Sequence, residues 1–384
     1  MKKVAILTQP LHDNYGGLLQ AYALKTTIRS LGFNPIIVNR QAAKVNPIRR
    51  RLSKLKSFIL NRQVNTSSKQ IVTEDQKLLI SENTIVFRSR YIPELTSLIN
   101  TQRGMRELLN EGIGAYVVGS DQCWRPRYSP FMPNYFLDFV KNANDVTRIS
   151  YAASFGVDKW EFTEKQTKEF KRLLAMFDAV SVREDDGVDL VREYLGRSDA
   201  LHVIDPTMLL GAEAYRTLTE KAQVKSSTGN LKVYILDRSA QSDNFVQELS
   251  DYFALKPFEV MPEKRLVEEE VTDENVELFK YPCPTQWLKG FQDAEFVVTD
   301  SFHGTVFSIL NNKPFIALGN ERRGMSRFTS LLKMFDLQDR LVLNPSLERT
   351  KSLIDRDIDW LRVNSILDRE RAKALNYLKE NLER

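Results

Sequence analysis

The chain has 384 residues, 42% hydrophobic and 27% charged. At roughly 150 residues per domain, that means two or three domains with enough apolar mass for real cores, which excludes a disordered tail or a fibre. The 55 basic and 50 acidic residues leave a charge of +5; this mild excess favours anionic partners, and no zinc-finger spacing, Arg/Gly repeat or helix-turn-helix pattern points to nucleic acid.

The first apolar run, Val4 to Leu7, reads as a buried strand. It is too short for a signal peptide and passes straight into polar residues. A loop from Thr8 to Gly17 follows, then a helix from Leu18 to Leu31 with apolar residues at helical spacing, stopped by Gly32. Pro35 to Val38 is a second strand, so the chain opens with a βαβ unit, the building block of parallel, helix-covered sheets. From Gln41 to Thr73 there are eight basic residues and no acid. That stretch reads either as a basic amphipathic helix on an anionic membrane or as a solvated insertion beside a cleft. Strands are expected at Tyr116 to Val118, Ala179 to Arg183 and Leu201 to Ile204, a strand with a loop at Thr147 to Gly156, and helices at Glu164 to Met176 and Val188 to Leu195. A second α/β set starts at Asn230 to Leu236. It continues with a short helix at Trp287 to Phe291, a strand at Phe296 to Thr299, a helix at Val306 to Leu310, a strand at Pro314 to Leu318 and a helix at Ser330 to Phe335. Ala372 to Leu382 is a charged terminal helix able to pack back on the body.

The expected fold class is therefore α/β, two Rossmann-like domains facing each other across a cleft. The boundaries are 1–205 for the first, with the basic insertion near 41–73, 206–360 for the second, and 361–384 for the terminal helix. Ligands of such open sheets lie at the carboxyl ends of the strands. The two cysteines, Cys123 and Cys283, are too few for a disulfide framework or a Cys-rich metal cluster, and read as free thiols of a cytoplasmic protein. No run approaches 18 apolar residues, so no transmembrane helix is expected.

Five segments at strand ends carry candidate chemistry. Asn14, Tyr15, Gly16 and Gly17 open a helix after the first strand, where paired glycines admit a ligand to backbone N–H groups; a tight packing turn is the other reading. Neither nucleotide fingerprint is present. In Gly119 to Trp124, Asp121 suits a sugar hydroxyl or the orientation of a catalytic group, and Trp124 suits stacking on a sugar ring. The competing reading is a helix cap with Trp124 in the core. Arg183, just past a strand, suits a carboxylate or phosphate, or a salt bridge to a nearby acid such as Glu184, Asp185 or Asp186. The sharpest segment is Thr299 to Thr305. His303 stands there between a strand end and a helix start, with Asp300, Ser301, Gly304 and Thr305 around it, as a proton donor or acceptor near neutral pH or as a hydrogen-bonded structural histidine. Arg322, Arg323 and Arg327 form either an anion clamp or a solvated loop. Asp355, Asp357 and Asp359 read as a solvated face.

The segments Asn14 to Tyr22, Gly119 to Trp124, Asp205-Pro206-Thr207 and Asp300 to Ser308, in this order, resemble the polysaccharide pyruvyl transferase family from residue 1 to about residue 340. The resemblance implies a GT-B-like fold and transfer of the enolpyruvyl part of phosphoenolpyruvate to hydroxyls of a surface or capsular polysaccharide precursor, lipid-linked in some members, forming a pyruvyl ketal. It implies His303 as general acid and Arg183 as donor ligand, with Ser301 where ketal-forming members carry an arginine. Arg322, Arg323 and Arg327 are candidates to replace that charge, and Ser301, Gly304 and Thr305 join the anion-binding set. Asp121 and Asp300 are the candidates to orient or deprotonate an acceptor hydroxyl. Asn14, Tyr15, Gly16, Gly17, Gln122 and Trp124 are expected to bind the acceptor. The scheme needs no metal or other cofactor, and places the enzyme in the cytoplasm, with peripheral contact to an anionic membrane. The rivals are a GT-B glycosyltransferase using a nucleotide sugar and a non-catalytic carbohydrate-binding protein.

Overall fold

The computed structural model describes residues 1–43, 72–266, 269–319 and 324–384. The basic stretch between 41 and 73 therefore lies almost wholly outside the described residues, and Arg322 and Arg323 lie outside them too.

Two parallel sheets organise the chain. The first has strands β1 (Lys3–Leu7), β2 (Asn34–Ile37), β3 (Ala115–Val118) and β4 (Thr147–Ser150), in the order β2-β1-β3-β4. Two short strands, β5 (Ser181–Val182) and β6 (Leu201–His202), extend it through single bridges from Ile149 to Ala179 and from Ala153 to Val182. The second sheet holds β7 (Leu231–Tyr234), β8 (Pro257–Phe258), β9 (Phe296–Thr299), β10 (Phe315–Leu318) and β11 (Leu341–Val342), in the order β8-β7-β9-β10-β11. All pairings are parallel. Strands β3, β7, β9 and β10 are buried at every position, as strands covered by helices on both faces must be. Both sheets repeat one winding: the first strand sits between the second and the third. In such sheets the connections diverge there, and a crevice opens at the strands' carboxyl ends.

Three helices start at these ends and matter for the site. Tyr15–Ser30 follows β1, and Asn14 caps it by accepting from Gly17 N at 3.2 Å. Asp185–Leu195 follows β5. Phe302–Leu310 follows β9, is buried throughout, and begins four residues before the sequence expectation at Val306, which puts His303 in its first turn. The terminal helix is also longer than expected, running Trp360–Leu382, because its first half is polar on one face while Val363, Ile366 and Leu367 are buried. It returns to the first sheet. There Tyr377 Oη donates to Ser150 O (2.7 Å), Lys373 Nζ to His202 O (2.9 Å), and Lys2 Nζ to Leu382 O (3.0 Å). One core cluster joins the lobes, running from Val4 and Ile6 through Met208 and Trp287 to Phe307 and Leu378. Among the described residues no helix is long and apolar enough to cross a membrane.

One core position conflicts with its surroundings. Lys232 on β7 is fully buried and its Nζ has no hydrogen-bond partner among the described residues. It lies 4.7 Å from the Phe291 ring centre and 5.3 Å from that of Phe258, in space that a methyl on Gly290 would fill. Burial pulls the amine down to about 7, with Asp293 opposing weakly. The unfolded chain then binds more protons than the folded one between about pH 7 and the ordinary lysine range, so stability rises with pH across that window. Lys232→Met should stabilise the protein by about 1–3 kcal/mol at pH 7 and flatten that pH dependence. Urea unfolding at pH 7 and 9 measures both, and a less stable variant would refute the reading.

Candidate active site

The first lobe contributes the loops after β1, β3, β4, β5 and β6. Gln20 locks two of them. Its Nε2 donates to Thr8 Oγ1 (2.8 Å), its Oε1 accepts from Ser120 N (3.1 Å), and Thr8 Oγ1 donates to Ser120 O (3.0 Å). This holds Asp121, in the left-handed region at φ 64°, facing the end of β5.

Arg183 stands at that end with 1% of its side chain exposed. Its three nitrogens meet three carboxylates: Nε to Glu184 at 3.2 Å, Nη1 to Asp205 at 2.8 Å and Nη2 to Asp121 at 3.4 Å. Burial works against the guanidinium, but the surrounding carboxylates outweigh it and hold its pKa above the ordinary value. The guanidinium carbon lies 4.4 Å from the centre of the Phe302 ring, which belongs to the second lobe. The salt-bridge reading of Arg183 thus describes the geometry, with the acids supplied by three different stretches rather than by its immediate followers alone.

Asp205 is the junction. Its Oδ1 accepts from Thr207 N (3.0 Å) and Thr207 Oγ1 (2.7 Å); its Oδ2 faces Arg183 and, at 3.5 Å, His303 Nε2. Burial would raise this carboxyl, yet His303 and Arg183 more than cancel that and keep it well below the usual carboxylate range. Nε2 of His303 is buried and has no closer partner among the described residues. The other side of the imidazole lies against Gly16 of the first lobe: a methyl on Gly16 would sit 2.0 Å from Nδ1 and 2.4 Å from Cγ. His303 and Arg183, 120 positions apart in sequence, therefore meet on one carboxylate at the seam between lobes.

Arg327, half-buried, approaches the same cluster. Its guanidinium carbon lies 6.0 Å from the Phe302 ring centre. Burial and the neighbouring Arg183 push its pKa down to about 10, against the pull of Asp121 and Glu184. Glu184 accepts from Ser154 Oγ (2.7 Å) and Arg183 Nε through Oε1, and its Oε2 is buried without a hydrogen-bond partner among the described residues. Burial raises this carboxyl above its usual range despite Arg183 and Ser154. Arg125 is buried beside it all, bonded to Glu161 (3.1 Å) and to Gln122 Oε1 (3.0 Å).

Several sequence expectations are corrected by these surroundings. Trp124 is fully buried, stacked on Phe136, with Nε1 donating to Tyr135 O, so its core reading holds and it offers no platform to a sugar. Tyr15 is buried against Trp287 and donates to Pro282 O (3.0 Å), so it too fronts the core. Asp300 accepts from Leu236 N (2.6 Å) and Asp237 N (2.8 Å), with one oxygen for each, and so ties the β7 loop. Thr305 Oγ1 donates back to Ser301 O (3.2 Å) within the helix. Gly304 is needed for packing, since a methyl there would lie 2.1 Å from Thr299 Oγ1. Ser301 accepts from Gly304 N at 3.4 Å as the helix cap. Asn14 and Gly17 remain at the rim, and Gln122 is half-buried.

Sequence reasoning assigned no role to Asp205, Ser154, Arg125 or Phe302. For Asp205 the signal was present: an acid followed by proline directly after an apolar strand sits at a strand's carboxyl end, where these folds place ligands. A cavity of about 880 Å³ lies elsewhere, between helix Glu82–Tyr91 and the β8 edge, and none of the sequence-predicted site residues lines it.

The architecture has many counterparts. UDP-GlcNAc 2-epimerase from Neisseria meningitidis bound to UDP-GlcNAc aligns at TM-score 0.52 with 10% identity over 100% of this chain and 99% of that one. MnaA of S. aureus with UDP aligns at 0.50 and 12% identity (100% and 97%), and UGT89C1 of Arabidopsis thaliana with UDP at 0.50 and 10% (99% and 99%). At such identities these matches show the GT-B-like two-lobed fold alone. No curated protein matches the chain. A family model described as polysaccharide pyruvyl transferase matches residues 14–322. That span begins at the cap of the first helix and takes in Asp121, Arg183, Asp205 and His303. On that match the chain belongs to the polysaccharide pyruvyl transferase family, and it is an enzyme of pyruvyl-transfer chemistry with a sugar or polysaccharide acceptor.

Proposed function

We propose that the donor is phosphoenolpyruvate and that His303 protonates its methylene carbon. The double bond becomes a C–H bond, and the adjacent carbon, still bearing phosphate, becomes oxocarbenium-like. A sugar hydroxyl attacks that carbon and loses its proton, Asp121 orienting it. The C–O bond to phosphate then breaks with its electron pair leaving on inorganic phosphate, and a second hydroxyl closes the ketal; one hydroxyl proton restores His303 and the other ends on the released phosphate. One donor and one sugar diol give one ketal and one phosphate. Arg327 and the N-terminal turn of helix Phe302–Leu310 meet the donor's anionic groups, with Arg322 and Arg323 as further candidates. Asn14, Gly17 and Gln122 flank the acceptor. Fixed charges in a dry cleft carry most of the rate. A lipid-linked acceptor and contact of the basic segment near 41–73 with an anionic, cytoplasmic membrane face belong to the same reading.

The observation that carries the proposal is the seat of His303: an imidazole in the first turn of a helix, held between a buried ionised carboxylate and the opposite lobe. The test is a mass-spectrometric donor screen with phosphoenolpyruvate and nucleotide sugars against mixed glycan acceptors, paired with thermal protection. Phosphoenolpyruvate is expected to raise the melting temperature and to add a pyruvyl ketal. Protection by uridine diphosphate with glycosyl products instead would favour the glycosyltransferase reading.

A further inference from the structure

We infer that Arg183 and Asp205 form one positioning unit for His303, and that Arg183 acts through Asp205 rather than by gripping the donor. This rests on His303 being the proton donor of the proposed reaction.

The argument is one of committed atoms. A guanidinium presents its donors in a fixed planar fork. In Arg183 each of the three nitrogens already faces a carboxylate, and one face of the fork is covered by the Phe302 ring. Its own backbone carbonyl lies 3.0 Å from His202 Nε2, which fixes the main chain from the β6 side. Two N–H groups stay uncommitted, but the side chain is 1% exposed, so a donor phosphate or carboxylate would reach them only by opening this buried, unscreened pairing. Asp205 is as constrained. Thr207 holds one oxygen by two hydrogen bonds and Arg183 holds the other. The carboxylate cannot turn without breaking one of these, so the oxygen facing Nε2 stays where it is. A carboxylate that fixes an imidazole's orientation is worth large factors in rate when the imidazole must meet a reacting atom. The unit also crosses the lobes: Asp121, Arg183 and Asp205 come from the first, Phe302 and His303 from the second.

Steady-state kinetics and donor binding separate this role from donor capture. Arg183→Lys keeps the charge and loses the fork; Asp205→Asn keeps the shape and loses the charge. Asp205→Asn should lower kcat by about 10²-fold with the phosphoenolpyruvate KM within about threefold. Arg183→Lys should lower kcat by about tenfold or more, again with little change in KM. The double variant should be no worse than Asp205→Asn within about threefold, because the arginine acts through the aspartate. On a His303→Gln background, calorimetry should find donor affinity unchanged by Arg183→Lys, a readout that needs no turnover. A KM raised tenfold or more with kcat retained, multiplicative losses in the double variant, or lost donor affinity would each overturn the inference. Full activity of His303→Gln alone would instead end the proton-donor reading, leaving the KM and affinity comparisons to be read on their own. Far-UV circular dichroism confirms folding, and Asp205→Asn carries the test if Arg183→Lys does not fold.

Discussion

His303→Gln is expected to fold and to lose turnover by about 10²–10⁴-fold, the span that general acid catalysis usually contributes. Glutamine keeps a polar tip of comparable reach toward Asp205, so the buried carboxylate is not left facing an apolar side chain. It has no proton to give near neutral pH. On the proposed reading donor binding should survive, since Arg327 and the helix start, not His303, meet the anionic groups. Ketal formation followed by mass spectrometry, with phosphate release as a second readout, measures the loss. A variant retaining more than a tenth of wild-type turnover would remove His303 from the chemistry.

The second large effect is expected at a residue with no functional group. Gly16→Ala puts a methyl 2.0 Å from His303 Nδ1, 2.4 Å from Cγ and 2.7 Å from Cε1, over the ring rather than beside it. None of these separations is tolerable, and the imidazole has little room to yield because Asp205 and Phe302 confine its other sides. Either the ring leaves Asp205 or the lobes separate. A displacement of about 1 Å costs about 10²-fold in rate, so the expected result is a loss of that size with secondary structure intact. Gly211→Ala is the control, since a methyl there meets nothing within 4 Å. Similar activities for the two variants would show that the contact with His303 does not matter.

Much of the architecture was legible because parallel, doubly covered strands are written as plain apolar runs. Val4 to Leu7, Tyr116 to Val118, Phe296 to Thr299 and Phe315 to Leu318 announce themselves in this way. The two-residue strands β8 and β11 do not, having no periodicity to read. Helices such as Ala240–Phe253 and Leu347–Ile354 went unassigned because their buried stripes are diluted by serines, acids and lysines. At the site, strand-end position picked out Arg183, Asp121 and His303. It did not reveal that three carboxylates converge on one guanidinium, since Asp121, Glu184 and Asp205 follow β3, β5 and β6 and meet only when the sheet is assembled. Nor did it separate Trp124 from a ligand platform: an aromatic after a strand reads the same whether it faces a cleft or Phe136.

The polypeptide passes between the two lobes twice, once just after Asp205 and again along helix Trp360–Leu382, whose last turn is bonded to Lys2. Two tethers leave one easy motion, a swing about the line that joins them. Asp205 lies at the first tether, close to that line, where a given rotation shifts atoms least. Such a swing would move atoms far from that line most and the aspartate–imidazole pair least.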